Sequence, residues 1–172
     1  KFFNAKIFDI SLNVPTSPSH YNLDKNIYTE DLRIDIRNLD DLKNAIKRIS
    51  PNFIFHLAAQ PIVLDSYTNP IDTFKTNSIG TLNILEAIRS MDNDCSSVII
   101  TSDKCYENVE KTSGYIESDR LGGKDPYSAS KGCAELIFHS YYHSFFSNDL
   151  SKYRIATARA GNVIGGGDWA NN

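Results

Sequence analysis

The chain has 172 residues, 41% hydrophobic and 23% charged, with a formal net charge of −3, enough for one domain with a buried core but with no basic footprint for nucleic acid. No apolar stretch approaches the roughly 20 residues of a membrane span, and the N-terminus lacks the basic start and apolar block of a signal peptide. Cys95, Cys105 and Cys133 fit neither a disulfide framework nor a zinc site and suit a reducing compartment, the cytoplasm, while the absence of any glycine before Gly80 excludes a glycine-rich phosphate loop from the first 79 residues.

Short β-branched or aromatic runs alternate with longer amphipathic stretches, the rhythm of βαβ units around a doubly wound parallel sheet. Residues 5–10 predict a strand, residues 13–26 a Pro/Ser/Asn-rich loop, and residues 32–36 a second strand. Leu39, Leu42, Ile46 and Ile49, spaced three and four apart, predict a helix with Asp40 and Asp41 in its first turn and Lys47 and Arg48 in its last, as the macrodipole favours. Ser50-Pro51 ends it. Residues 53–57 are almost wholly apolar and predict a central strand buried on both faces. Asn69-Pro70 signals a helix start, and Ile71, Phe74, Leu82, Leu85 and Ile88 carry the stripe to about residue 90. A strand over 98–101 is followed by an unusually long connection, 103–125, of a size more often functional than idle. Pro126 opens a helix to about residue 146, residues 155–159 predict the last strand, and Gly161, Gly165, Gly166 and Gly167 make the tail a loop. Without an internal repeat or a dividing linker, residues 1–172 read as one domain.

Polar residues gather where the predicted strands end: Asp35, then Ala58-Ala59-Gln60, then Ser102-Asp103-Lys104, then Asn162. In an open parallel sheet those carboxyl ends line the ligand crevice. Tyr127 and Lys131, four apart on a predicted helix, share one face and can act on one substrate atom. A free tyrosine titrates near pH ~10, and a nearby ammonium favours the phenolate, so the pair suits a general base. The same spacing also occurs on ordinary solvated helix faces. Ser102 at the end of the preceding strand supplies a hydroxyl for the same substrate oxygen.

Ser102, Tyr127 and Lys131, with Ala58-Ala59 after a strand and the segment from Thr76 and Asn77 to Thr81, resemble the extended short-chain dehydrogenase/reductase family of nucleotide-sugar enzymes. Longer blocks, from His56 to Pro61, from Thr101 to Tyr106, from Gly122 to Glu135 and from Arg159 to Trp169, are most similar to the CDP-glucose branch of its 4,6-dehydratases. The resemblance implies a Rossmann fold, NAD as a tightly bound cofactor, a nucleotide-sugar substrate and a homo-oligomer, dimer or tetramer, packed through the Ile71 and Tyr127 helices. It further implies that Tyr127 takes the sugar 4-hydroxyl proton as C4 is oxidised by NAD⁺, that Lys131 lowers the tyrosine pKa and holds the nicotinamide ribose, and that Ser102 binds the same hydroxyl. Water then leaves across C5 and C6, and C6 receives the hydride back. Asp103-Lys104 stands where dTDP-sugar relatives carry an Asp-Glu acid and base pair, and a basic Lys104 would need burial or nearby positive charge.

For the cofactor, the family pattern carries over to Asp35 and Ile36 beside the adenine, to Leu57, Ala58, Ala59 and Gln60 along the adenosine and pyrophosphate, and to Thr76; Asn162 faces the sugar-nucleotide. Asp35 equally suits a cap on the turn into the Leu39 helix, and Thr76 and Asn77 suit polar helix positions. His56 reads as a core or supporting residue, Tyr106 and Trp169 as packing or base-stacking aromatics, and Cys105 and Cys133 as small apolar residues.

Relatives begin with a strand and a glycine-rich turn and continue into a substrate region, so the sequence reads as an internal fragment lacking both. Asp9 stands where relatives carry a small residue, and an acid there suits the ribose hydroxyls of NAD. A 4-epimerase or reductase of the same superfamily would share Tyr127 and Lys131 without needing Asp103-Lys104. A non-enzymatic dinucleotide-binding protein should show damage to the Ser/Tyr/Lys set, and none is seen.

Overall fold

Two parallel ladders make up the β-structure in a computed structural model that describes residues 4–166. Strands β1 (Phe8–Ser11) and β2 (Glu30–Arg33) pair with each other, and β3 (Phe53–His56), β4 (Cys95–Ser102) and β5 (Tyr153–Ala160) form a second sheet in that order. A short helix, α1 (Tyr21–Asp24), lies in the region expected to be loop. Helix α2 (Leu39–Ile49) has the predicted bounds: the Asn38 side chain accepts the Asp41 amide at 3.3 Å, and Ser50 ends the helix in the left-handed region at φ 50°. Helix α3 (Val63–Thr68) has no counterpart in the predicted elements. Next, α4 (Pro70–Phe74), a π-helical segment Lys75–Ile79 and α5 (Gly80–Arg89) succeed one another without a break. Helix α6 (Pro126–Tyr141) likewise runs on into a π segment, Tyr142–Phe146.

Leu42 and Ile46 of α2, Ile84, Leu85 and Ile88 of α5, Cys95 and Ile99 of β4, and Phe146 form the core. Along β4 the alternate residues Cys95, Ser97, Ile99 and Thr101 are buried, so the helices cover that face of the sheet. The expectation of a strand buried on both faces fails for β3. It is the edge of its sheet, with Phe53 at 69% and Phe55 at 64% exposure, because their face has no covering helix among the described residues. The predicted strand over 98–101 is longer than expected and includes Ser102, whereas β2 stops short of Asp35 and Ile36. No helix of the described residues is long and apolar enough to cross a membrane. Gly167 and Trp169 lie outside the described residues.

The start of α6 is set by a backbone contact. A Cβ at Gly123 would stand 2.3 Å from the Ala129 amide nitrogen and 2.5 Å from the Ser128 carbonyl carbon, neither of which can swing aside. Gly123→Ala is therefore expected to cost about 1–3 kcal/mol of stability, read as a lower urea midpoint; an unchanged midpoint would show that this close approach is dispensable.

Candidate functional site

Strand β4 delivers Ser102 to the mouth of the sheet and turns at once into a 3-10 turn, Asp103–Cys105. The Ser102 hydroxyl accepts the Lys104 amide at 3.2 Å and donates to Asp103 Oδ1 at 3.1 Å. Opposite it, α6 starts on Asp125, whose carboxylate accepts the Ser128 amide at 2.9 Å, with Pro126 in the first turn, where no amide is needed. Tyr127 points from the first turn toward Ser102, and the side chains of Ser102, Tyr127 and Lys131 are all buried. The Lys131 ammonium lies 6.0 Å from the centre of the Tyr127 ring. Asp103, Lys104 and Asn162 ring the opening: Lys104 Nζ is 3.7 Å from the Asp103 carboxylate and donates to Asn162 Oδ1 at 3.4 Å.

Burial dominates the electrostatics. It raises the Tyr127 phenol above its usual range; the Ser102 hydroxyl pulls it partly back, and the Asp103 and Asp125 carboxylates push it up again. The expected depression of Tyr127 by Lys131 is thus absent in the protein alone, because the ammonium is too distant to offset desolvation and two carboxylates. Lys131, only 7% exposed, is lowered by burial alone. His56 beneath it is buried, contacts Thr81 Oγ1 at 3.3 Å, and is lowered to about 4 by burial and then by the Lys131 charge. Burial also pushes the Cys105 thiol up to about 11, in keeping with an inert packing role.

The remaining predicted residues divide. Asp35 follows β2, accepts the Arg37 amide at 2.9 Å and is clasped by the Arg37 guanidinium at 2.6 Å, so it braces the turn into α2. The neighbouring Ile36 is buried against Gly80, and its carbonyl accepts Asn83 Nδ2 at 2.8 Å. Leu57 is exposed, Ala58 and Ala59 are half-buried, and Thr76 sits half-buried in the first π segment. Gln60 is tied into the fold: its amide donates to Asn77 Oδ1 at 2.8 Å and its side chain donates to Thr73 Oγ1 at 2.9 Å. Tyr106 is buried and stacked on Tyr115 with ring centres 5.2 Å apart, which settles it as packing. On β1, Asp9 accepts the Ser11 hydroxyl at 2.8 Å.

Two residues of the resembling blocks that were given no catalytic or cofactor role hold the site together. Asn77, almost wholly buried, donates from Nδ2 to Ser130 Oγ at 2.9 Å and to the Gln60 carbonyl at 3.1 Å, linking the β3 exit to α6. Glu135 is 3% exposed and receives Arg159 Nη2 at 2.9 Å. Its signal was its spacing, four residues past Lys131 on the same helix face.

The site also bears on a dinucleotide. A near-buried ammonium with no carboxylate among the described residues to offset its desolvation is a donor that suits the hydroxyls of a ribose, and the adjoining phenol adds a second polar group at the same opening. Lys131 and Tyr127 therefore fit the nicotinamide-ribose end of NAD, whereas the described residues include no glycine-rich turn for its pyrophosphate.

A parallel α/β sheet whose carboxyl ends gather a serine, a tyrosine and a lysine belongs to the Rossmann-fold dehydrogenase/reductase class. More narrowly, this chain is a member of the family described as GDP-mannose 4,6 dehydratase, whose family model matches residues 13–152. It is 45% identical over 166 residues to the CDP-glucose 4,6-dehydratase of Salmonella typhimurium, covering 94% of this chain and 46% of that protein. A CDP-paratose 2-epimerase of Salmonella typhi is 34% identical over 131 residues, or 67% of this chain and 39% of that one. The Thermus thermophilus UDP-glucose 4-epimerase, solved with NAD, superposes with a TM-score of 0.69 at 25% identity, covering 87% of this chain and 46% of that structure. A dTDP-glucose 4,6-dehydratase double mutant from Streptomyces venezuelae, with NAD bound, gives 0.72 at 21% identity over 88% of this chain and 45% of that one, a likeness of fold. The chain spans about half the length of these relatives or less.

Burial of neutral His56 makes stability pH-dependent with a definite sign. The unfolded chain takes up a proton near pH 6.5 and the folded chain only near about 4, so this contribution is complete above 6.5 and is lost as pH falls toward 4. At about 1.4 kcal/mol per pH unit it amounts to about 3 kcal/mol. Urea midpoints at about pH 7 and about pH 5 should differ more in the wild type than in His56→Gln; equal differences would place the histidine outside the titrating core.

Proposed function

We propose that this chain is the central part of the NAD-binding Rossmann domain of a nucleotide-sugar 4,6-dehydratase acting on CDP-glucose, a cytoplasmic lyase. The convergence of Ser102, Tyr127 and Lys131 on one opening, with Asp103 and Lys104 at its rim, carries the reading. Identity to the Salmonella CDP-glucose enzyme supports the cytidine nucleotide. The sheet order supports the domain assignment: in a doubly wound sheet ordered 3-2-1-4-5-6, β1 and β2 fill positions 2 and 3, and β3, β4 and β5 fill 4, 5 and 6. The break between the two ladders then falls at position 1, the strand that precedes the phosphate-binding turn.

In the proposed reaction Tyr127 takes the proton of the sugar 4-hydroxyl while Ser102 holds the same oxygen. Lys131 anchors the cofactor ribose, and its charge favours the phenolate once the positive nicotinamide is close. NAD⁺, when bound, supplies the electron acceptor for C4 and returns the same electron pair to C6. Asp103, in its protonated form, gives a proton to the departing 6-hydroxyl, and Lys104 takes the C5 proton that the new 4-keto group has acidified and returns it to C5 as C6 is reduced. Lys104 is 42% exposed and neighbours a carboxylate, so substrate must cover it before it can act as a base. Asn162, held by Lys104, faces the sugar-nucleotide. Asp35, Ile36, Leu57, Ala58, Ala59, Gln60 and Thr76 border the adenosine side.

The whole protein is proposed to self-associate. A groove of about 580 Å³ between α4 and α6, lined by Ile71, Phe74, Ile79, Cys133, Leu136 and Ile137, is almost purely apolar, and both Ile71 and Leu136 stand exposed. A second copy laying the same helices across it would bury both faces.

Full-length protein incubated with CDP-glucose and NAD⁺ should release a 4-keto-6-deoxy nucleotide sugar; a 4-epimer that keeps its C6 oxygen would instead establish the 4-epimerase reading, to which the exposure of Lys104 is no obstacle. Tyr127→Phe should lower kcat by about 100-fold or more with an unchanged unfolding midpoint, and wild-type turnover in that variant would remove Tyr127 from the reaction. Ile71→Glu with Leu136→Glu should yield monomers on analytical ultracentrifugation; persistence of the oligomer would locate its interface elsewhere.

A further inference from the structure

Tyr127, Lys131 and Glu135 lie at i, i+4 and i+8 and form one stripe of α6. The first two face the site, and the third is driven into the sheet. Its carboxylate accepts the Thr101 hydroxyl through one oxygen and, through the other, Thr157 Oγ1 at 3.3 Å and Arg159 Nη2 at 2.9 Å. Thr101 immediately precedes Ser102 and pairs in register with Arg159 across β4 and β5. One carboxylate thus fixes how far α6 sits along the strand that presents Ser102. Arg159 extends the link: its Nη1 donates to Tyr106 Oη at 2.9 Å and to the Glu117 carbonyl at 3.2 Å, and its guanidinium lies 4.9 Å from the centre of the Tyr106 ring. Both contacts belong to the long connection that begins just beyond Asp103–Cys105. Of the chain's ion pairs among the described residues, this is the most enclosed, with side-chain exposures of 18% for Arg159 and 3% for Glu135.

We propose that Glu135 is a positioning residue for Ser102, Tyr127 and Lys131, and that its partner Arg159 locks the 106–125 connection to the same frame. A buried ion pair is a poor source of net stability, since desolvation cancels much of its attraction and an apolar pair of similar volume often replaces it without loss. What an apolar pair cannot supply is direction. Three donors converge on two carboxylate oxygens, and the guanidinium fork points one nitrogen at the helix and the other at the connection. Loss of that geometry frees α6 to slide by a fraction of its rise per residue, about 1.5 Å, which is enough to change how closely Tyr127 approaches Ser102.

The test is carried out on the full-length protein with the double variant Glu135→Met/Arg159→Leu, chosen because removal of one charge alone would strand the other in the interior. Thr101→Val, which withdraws one donor and leaves both charges in place, serves as the milder variant should the double variant not fold. Two readouts are taken. The first is the titration of Tyr127 by NMR of ζ-carbon-labelled tyrosine, assigned with Tyr127→Phe, and it needs no turnover. Withdrawal of the Ser102 hydroxyl from the phenol should move it upward in the double variant and by less in Thr101→Val. The second, which rests on the dehydratase reading, is a fall of about tenfold or more in kcat with KM little changed. A Tyr127 titration identical to wild type in a folded variant overturns the proposal, as does a loss confined to the unfolding midpoint. Absence of dehydratase turnover in the wild type would count against the reaction and leave the titration to judge the positioning role.

Discussion

Helix α6 buries its polar side, and the rest of the described fold is arranged around satisfying it. Tyr127, Ser128, Ser130, Lys131 and Glu135 are all enclosed, where an apolar stripe would be the ordinary solution for a helix packed on a sheet. Each enclosed polar group needs a partner, since an unsatisfied one loses its hydration with nothing in return. Ser130 receives Asn77 at its hydroxyl and Ser78 at its carbonyl, both from the first π segment. The first π segment thus presents two neighbouring buried polar side chains to α6. Glu135 takes its partners from the adjacent strands β4 and β5. The contacts that hold the helix down are therefore directional ones, and they fix its position more closely than apolar packing would.

Lys131 is the exception, and the contrast with Glu135 is informative. Both are charged residues of one stripe and both are almost fully enclosed, yet only the carboxylate has been given counter-charge. A paired buried charge belongs to the architecture. An unpaired one raises the free energy of the protein alone and lowers it when an oxygen-rich ligand arrives, so its cost is recovered on binding. The same uncompensated charge reaches His56 and, together with burial, keeps that imidazole neutral. Neutral His56 then does not compete with Lys131 for a ligand, and the positive character of the opening rests on the lysine.

Legibility from the amino-acid order followed how local the determining interaction was. Helix α2 was readable to its ends because the acidic first turn, the basic last turn and Ser50-Pro51 are all near neighbours in sequence. The start of helix α6 was equally plain from Pro126, and the Ser102, Tyr127 and Lys131 set was legible because strand end and helix face are local properties. Strand β3 misled, since a run such as Phe53 to Phe55 reports only that both faces are apolar and not whether anything covers them. Asp35 has a partner that its place at a strand end did not reveal: Arg37, two residues on, clasps its carboxylate. The Tyr127 acidity depended on three groups from two separate segments, Ser102 and Asp103 on one and Asp125 on the other, and no spacing rule sums those contributions. Glu135 and Arg159 are 24 residues apart in sequence and meet only because β4 and β5 are in register.

Exposure rises steeply over three consecutive residues at the end of β4, from buried Ser102 to Asp103 and Lys104, which are 53% and 42% exposed. On the proposed reaction these residues serve successive steps. The groups for C4 oxidation, Ser102, Tyr127 and Lys131, are enclosed and held by the α6 network before any substrate arrives. Those for elimination, Asp103 and Lys104, stand in water and are paired with one another. Oxidation is thereby preorganised by the protein, while elimination has to be organised by the substrate, whose sugar must displace water from the rim and separate the ammonium from the carboxylate at 3.7 Å. The order is chemically sound, because the C5 proton becomes acidic only after C4 carries a carbonyl. A base held ready beforehand would face a C–H bond it could not yet break, whereas one assembled around the bound sugar is completed where the 4-keto group forms.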